Sequence, residues 1–141
     1  MNKAEQILEL IEPFVKEGKI LPRTYDQIVD NIDDFVFLHN SGKLVACAGL
    51  KDCKEGKMGE IYALAVSKQV QNQGFSAKLL DEIMQKARIS NFSKIFALTK
   101  YNTQWFFKYG FVQMKIDELP IKRQALFDHQ RSSSIFFKDV N

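Results

Sequence analysis

Gly59-Glu-Ile-Tyr-Ala-Leu-Ala-Val66, followed by Gln71-Asn-Gln-Gly-Phe-Ser76 and then by a run of helical periodicity, decides how this chain is read. A hydrophobic strand feeds a short polar loop with one glycine, Gly74, and the loop opens into a helix. Backbone N–H groups converge in such a loop and the helix N-terminus adds partial positive charge, so the segment has the form of an anion site. The spacing excludes two phosphate-binding designs. It contains neither the Gly-x-x-x-x-Gly-Lys-Ser/Thr of a P-loop nor the Gly-x-Gly-x-x-Gly of a dinucleotide fold. Taken alone, Gln71-x-x-Gly74-x-Ser76 fits equally a phosphate cradle and a plain strand-to-helix turn with Gly74 at positive φ.

Outward from this segment, periodicity orders the rest of the chain. Ile7, Leu8, Leu10, Ile11, Phe14 and Val15 recur at helical spacing, predicting an amphipathic helix over about Ala4–Lys16. Thr24 is a candidate N-cap for a short helix with Ile28, Val29 and Ile32 on one face. Phe35–His39 and Leu44–Leu50, joined by Asn40-Ser-Gly-Lys43, read as a β-hairpin. After the strand Gly59–Val66 comes a helix over Ala77–Ser90, with Leu79, Leu80, Ile83, Met84 and Ala87 facing a core. A strand Lys94–Leu98, a helix Asn102–Tyr109, a strand Phe111–Met114, a short helix from Leu119-Pro120 and a strand Ser134–Phe137 complete the order. The expected fold class is α/β, a single domain over residues 1–141 with a mixed central sheet flanked by helices.

Composition narrows the function. A net charge of +3 is too small to argue for nucleic acid, and most of the twelve Phe fall where strand or helix periodicity wants core residues rather than on a stacking surface. The apolar runs are far shorter than a membrane span, and Met-Asn-Lys-Ala-Glu-Gln lacks the pattern of a signal peptide. A cytoplasmic protein without membrane or nucleic-acid partners is expected. Cys47 and Cys53 stand apart, with no Cys-x-x-Cys and no histidine cluster, so no metal is expected and Cys47 reads as a small core residue.

The loop Gln71-x-x-Gly74-x-Ser76 resembles the pyrophosphate loop of the GCN5-related N-acetyltransferases, Arg/Gln-x-x-Gly-x-Gly/Ala, with Ser76 departing at the last position. Asn102-Thr-Gln-Trp-Phe-Phe-Lys-Tyr-Gly-Phe111 is similar to the family's Asn-started helix ending in Gly-Phe. Many relatives place a general-acid Tyr four residues before that Gly; here the position is Phe106, and Tyr109 lies on another helical face. One branch, the acetyltransferase domain of N-acetylglutamate synthases, carries Trp-Phe there instead. This chain resembles that branch along nearly its whole length: Gly18-Lys-Ile-Leu-Pro-Arg-Thr24, Val45-Ala-Cys-Ala-Gly-Leu50, Lys57-x-Gly-Glu-Ile-x-x-Leu-Ala-Val66, Phe96-Ala-Leu-Thr99, Trp105-Phe-x-x-x-Gly-Phe111, Asp117-x-Leu-Pro120 and Gln130-Arg-Ser-Ser-Ser134. The amino-acid-kinase-like domain through which larger synthases bind arginine has no counterpart in these residues. The family's first edge strand is expected to be missing or reduced to Met1–Lys3.

The resemblance implies acetyl transfer from acetyl-CoA to the α-amino group of L-glutamate, the first step of arginine biosynthesis, by direct attack in a ternary complex. It assigns the cofactor to Leu64, Ala65 and Val66 of the strand and to Gln71, Asn72, Gln73, Gly74, Phe75 and Ser76 of the loop, with the N–H near Leu64 facing the thioester oxyanion. It implies Glu60 as the base, acting through water, and Thr99 as the proton donor to the thiolate. Leu21, Arg23, Lys57, Arg131 and Ser133 match substrate positions, the arginines suiting the carboxylates of glutamate. Read without the resemblance, Glu60 is equally a solvated strand-end carboxylate, Thr99 a cap for the helix near Asn102, and each Arg a surface charge. Two alternatives stay open: an N-acetyltransferase with another acceptor, and a non-catalytic acyl-CoA-binding module. A homodimer formed through an exposed sheet edge beside the N-terminus is a further expectation.

Overall fold

A computed structural model describes residues 1–127 and 133–141. Its helices are α1 (Lys3–Lys16), α2 (Tyr25–Asp30), α3 (Phe75–Ile89), α4 (Thr103–Lys108) and α5 (Ile121–Ala125). Its strands are β1 (Phe35–Asn40), β2 (Lys43–Asp52), β3 (Met58–Val66), β4 (Lys94–Thr99), β5 (Val112–Met114) and β6 (Ser134–Asp139). The strands form a six-stranded sheet in the order β1-β2-β3-β4-β6-β5. Pairing is antiparallel between β1 and β2, β4 and β6, and β5 and β6, and parallel between β3 and β4, so the expected mixed sheet is present. The chain divides into two compact units, Met1–Leu50 with Ala63–Lys86, and Lys51–Tyr62 with Ala87–Asn141.

In the first unit, local chemistry fixes most boundaries. Asn2 caps α1 by accepting from Glu5 N while the Glu5 carboxylate returns to Asn2 N, a reciprocal capping box; Met1 and Asn2 form no strand. Pro13 lies inside α1 without ending it. Thr24 caps α2 as expected, accepting from Gln27 N at 3.1 Å. Ile28 is buried, but Val29 is 40 % exposed: α2 has six residues, too few to bury the full apolar face anticipated. Ser41 and Gly42 both take positive φ (52° and 79°), the combination a two-residue hairpin turn requires. β2 is buried without interruption from Leu44 to Leu50, the mark of a strand covered on both faces. Ile7, Ile11, Cys47, Leu79 and Ile83 are among the fully buried side chains of this unit.

In the second unit, Met58, Phe96, Leu119 and Ile135 form a buried cluster joined by Cys53, Leu98, Met114, Ile116, Phe127 and Phe137. A second group is aromatic: Phe106 stacks on Phe136 at 5.6 Å and meets Phe111 edge-on at 5.0 Å. Phe111 is buried but precedes β5 rather than opening it, while its N–H satisfies the Phe106 carbonyl at the end of α4. No helix among the described residues is long and apolar enough to cross a membrane.

Candidate active site

The loop of the first unit is shorter than the sequence suggests, because α3 already begins at Phe75 and takes Phe75 and Ser76 into its first turn. β3 ends at Val66, and a 3-10 turn over Lys68–Val70 leads into the loop. Ser67 fixes this exit twice: its N–H donates to Val45 O at 2.7 Å, and its hydroxyl caps the turn at Gln69 N. Asn72 and Gly74 both adopt positive φ, 66° and 86°. Alternation of left-handed and ordinary residues turns successive N–H groups toward one side, the anion-binding geometry of a nest. Gln71, Asn72, Gln73 and Gly74 are exposed, and a Cβ built on Gly74 meets nothing within 4 Å, so its glycine is demanded by backbone conformation and not by crowding. Leu64 and Val66 are half-buried and alternate with buried Ala63 and Ala65. Ala63 has φ 49°, an irregularity in mid-strand that the sequence does not announce.

Leu21 and Arg23 stand between α1 and α2, where the Arg23 guanidinium donates to the Leu21 carbonyl at 3.1 Å. Leu21 is exposed and Arg23 half-buried. The positive charge of Arg23 also acts weakly on the buried Cys47 thiol.

In the second unit, Glu60 lies on β3 opposite Phe96 of β4, in parallel pairing that runs from Met58↔Lys94 to Ile61↔Ala97. Its carboxylate is gripped by a residue absent from the expected set. Arg123 of α5 donates through Nε to Oε1 at 2.6 Å and through Nη2 to Oε2 at 3.2 Å, a bidentate fork. The side chains of Arg123 and Glu60 are 21 % and 16 % exposed, so the pair is largely withdrawn from water. α5 is held by a second carboxylate: Glu55 accepts from Ile121 N and from Lys122 N, two of the orphan donors of the helix start. Nothing local marks Arg123 in the sequence, since the pair spans 63 residues and α5 is a five-residue helix with no side-chain cap.

Lys57 is exposed at φ 53°, and its carbonyl accepts from Ser93 N at 2.8 Å. Thr99 ends β4 opposite Ser134. Its hydroxyl donates to the Tyr101 carbonyl and accepts from Tyr101 N, so its bonds are spent on the turn that leads to Asn102 and α4. Ser133, beside the residue that faces Thr99, has a buried hydroxyl oxygen with no hydrogen-bond partner among the described residues. Arg131 lies outside the described residues. Burial pushes the Cys53 thiol up to about 11, with the Glu60 carboxylate adding to the effect. Among the described residues no cluster of His, Cys, Asp and Glu could hold a metal ion.

An amino-acid acetyltransferase of Serratia proteamaculans is 33% identical over 140 residues, covering 99% of this chain and 32% of that protein. An N-acetylglutamate synthase from Neisseria gonorrhoeae, in complex with coenzyme A and N-acetyl-glutamate, superposes with a TM-score of 0.93 at 34% identity, covering 100% of this chain and 34% of that chain. The same synthase with coenzyme A and L-arginine gives 0.84 at 35% identity, covering 96% and 30%. The chain thus spans about a third of the length of the curated relatives it matches. The family model for the acetyltransferase (GNAT) family matches residues 2–111. The strand, the loop and the helix that follows it lie inside that match, and this chain belongs to the GNAT acetyltransferase family.

Proposed function

We propose that this chain transfers the acetyl group of acetyl-CoA to the α-amino group of an amino acid, with L-glutamate as acceptor, and so performs the first step of arginine biosynthesis in the cytoplasm. The observation that carries the reading is the loop between β3 and α3, where Asn72 and Gly74 take positive φ at the start of a fifteen-residue helix, the backbone alternation of an anion-binding nest. Identity of 33–34% across the whole chain to amino-acid acetyltransferases, one crystallised with coenzyme A and N-acetyl-glutamate, supports the choice of cofactor and acceptor.

In this reading Gln71 to Ser76 hold the pyrophosphate, and the backbone of Leu64, Ala65 and Val66 holds the pantetheine arm. The neutral amine attacks the thioester carbonyl, a C–N bond forms, and the negative charge on the carbonyl oxygen meets the Leu64 N–H. Collapse breaks the C–S bond and releases the thiolate. Beforehand the substrate ammonium has given one proton through water to Glu60, and on collapse the nitrogen gives its second proton to water. Arg123 occupies one acceptor site on each Glu60 oxygen, and the remaining lone pairs are available to that water. Thr99 can protonate the thiolate only if its hydroxyl turns from the Tyr101 carbonyl. The acceptor's carboxylates are assigned to the positive charges of Arg23, Lys57 and Arg131, together with Leu21 and Ser133; a buried Ser133 hydroxyl with no partner among the described residues supports a polar ligand at Ser133.

A second reading has a specific observation in its favour. Both candidate proton-transfer groups, Glu60 and Thr99, are engaged in structural bonds, as in a module that binds acyl-CoA without turnover. Release of free CoA thiol from acetyl-CoA, measured with glutamate and a panel of other amino acids and amines, separates these readings. Glutamate-dependent release supports the first. Release with another acceptor keeps the reaction and discards glutamate, and tight CoA binding without release leaves the binding module. The reading extends to a homodimer through the sheet edge at β1, which sedimentation tests.

A further inference from the structure

Ala63 holds a conformation that a strand residue does not adopt unaided. Its φ of 49° lies in the left-handed region, where an alanine Cβ crowds the backbone, yet it sits inside β3 between Tyr62 and Leu64. Such a residue persists only where its surroundings hold it. The partner is visible: the Cys47 thiol of β2 donates to the Ala63 carbonyl, Sγ to O 3.5 Å. Both residues are buried, at 0% and 6% exposure, and Cys47 is flanked by Ala46 and Ala48, which offer no polar side chain. A buried carbonyl on a residue in the left-handed region needs a donor. Burial pushes the Cys47 thiol up to about 12, against a smaller opposing pull from the Arg23 charge, so it keeps its proton at neutral pH.

The Ala63 carbonyl and the Leu64 N–H belong to one planar trans peptide, in which C=O and N–H point in opposite directions. Fixing the oxygen toward β2 therefore fixes the direction of the Leu64 N–H away from it. We propose that Cys47 is a positioning residue, whose S–H bond to the Ala63 carbonyl sets the aim of the Leu64 N–H. The inference rests on the reading of that N–H as the oxyanion donor, and it adds a function for a side chain that otherwise counts only as packing.

The test compares Cys47→Ala with Cys47→Ser, which differ by one hydroxyl donor. Two quantities are read: kcat and KM for acetyl-CoA with glutamate, and the Leu64 amide resonance of 15N-labelled protein. Loss of an oxyanion donor outright costs about 10²–10³ in kcat, and loss of its alignment is expected to cost roughly 10-fold. Cys47→Ala should show that fall in kcat with KM for acetyl-CoA little changed and the Leu64 amide displaced. Cys47→Ser should regain most of kcat and return the resonance toward its wild-type position. Equal kcat and equal Leu64 shifts in the two variants would overturn the proposal. If Cys47→Ser does not fold, Cys47→Thr against Cys47→Val makes the same comparison at larger volume. Should wild-type protein turn over no amine at all, the proposed function fails, while the Leu64 resonances still decide whether the thiol sets that peptide.

Discussion

Arg123→Leu removes the guanidinium from Glu60 while keeping an apolar stem in α5, and its cost follows from the burial of the pair. Exposed ion pairs contribute about 0.2–1 kcal/mol, whereas truncating one partner of a fully buried pair costs roughly 3–5 kcal/mol, because the other charge is left uncompensated. With side chains 21 % and 16 % exposed and two hydrogen bonds in the fork, this pair stands nearer the buried limit. A loss of about 2–3 kcal/mol is expected, and for a chain of 141 residues this lowers the melting temperature by roughly 7–10 °C. Part of that loss belongs to side-chain packing, so the assay is a double-mutant cycle. Arg123→Leu, Glu60→Gln and the double variant are unfolded in urea and monitored by circular dichroism. The double variant should be less destabilised than the sum of the singles by about 1–2 kcal/mol, since Glu60→Gln removes the charge that Arg123→Leu alone strands. A coupling below about 0.5 kcal/mol would refute the argument and return Glu60 to the status of a solvated carboxylate.

Three further outcomes follow from single contacts. The Cys47 thiol is raised from its ordinary 9.0 to about 12, so its contribution to stability is fully present below about 9 and is lost as pH rises toward 12; the alkaline slope of urea stability should be shallower in Cys47→Ala than in wild type by up to about 1.4 kcal/mol per pH unit. Gly74→Ala meets no steric obstacle but must hold φ 86°, and should cost about 1–2 kcal/mol of stability and weaken CoA binding measured by calorimetry. Thr24→Ala deletes the hydroxyl that accepts from Gln27 N and should lower stability by about 1 kcal/mol without altering CoA affinity.

What the sequence discloses depends on how local the cause is. The hairpin is legible because Ser41-Gly42 supplies two positive-φ residues at the turn, and Thr24 and Gln27 announce their capping box three residues apart. The loop at Gly74 is legible for the same reason, while the mixed sheet is read from the order of strand- and helix-periodic segments rather than from any local pairing. The partner of Glu60 is not, because Arg123 is brought to it by the docking of a short helix, and α5 is placed by Glu55, again from a distant part of the chain. Ala63 hides its φ of 49° because alanine carries no preference for it; what holds it, such as the Cys47 thiol on its carbonyl, comes from 16 residues away in the chain. Thr99 is open to two readings in the sequence, and the hydroxyl bonds to Tyr101 supply the structural one without removing the other.

Trp105 is the chain's one tryptophan, set among Phe106, Tyr109 and Phe111 with its indole N–H buried and without a hydrogen-bond partner among the described residues. Light absorbed at the red edge of the ultraviolet band therefore addresses a single chromophore in the unit Lys51–Tyr62 with Ala87–Asn141, while Cys47 reports from the other unit. Emission from an indole shielded in this way lies toward the blue and moves to the red when the aromatic group opens to water. In a Cys53→Ser background, which leaves Cys47 as the one thiol, following that colour alongside the rate at which a thiol reagent reaches Cys47 gives two independent clocks in one cuvette. Agreement between them means the two units open as one, and a lag means that one opens before the other.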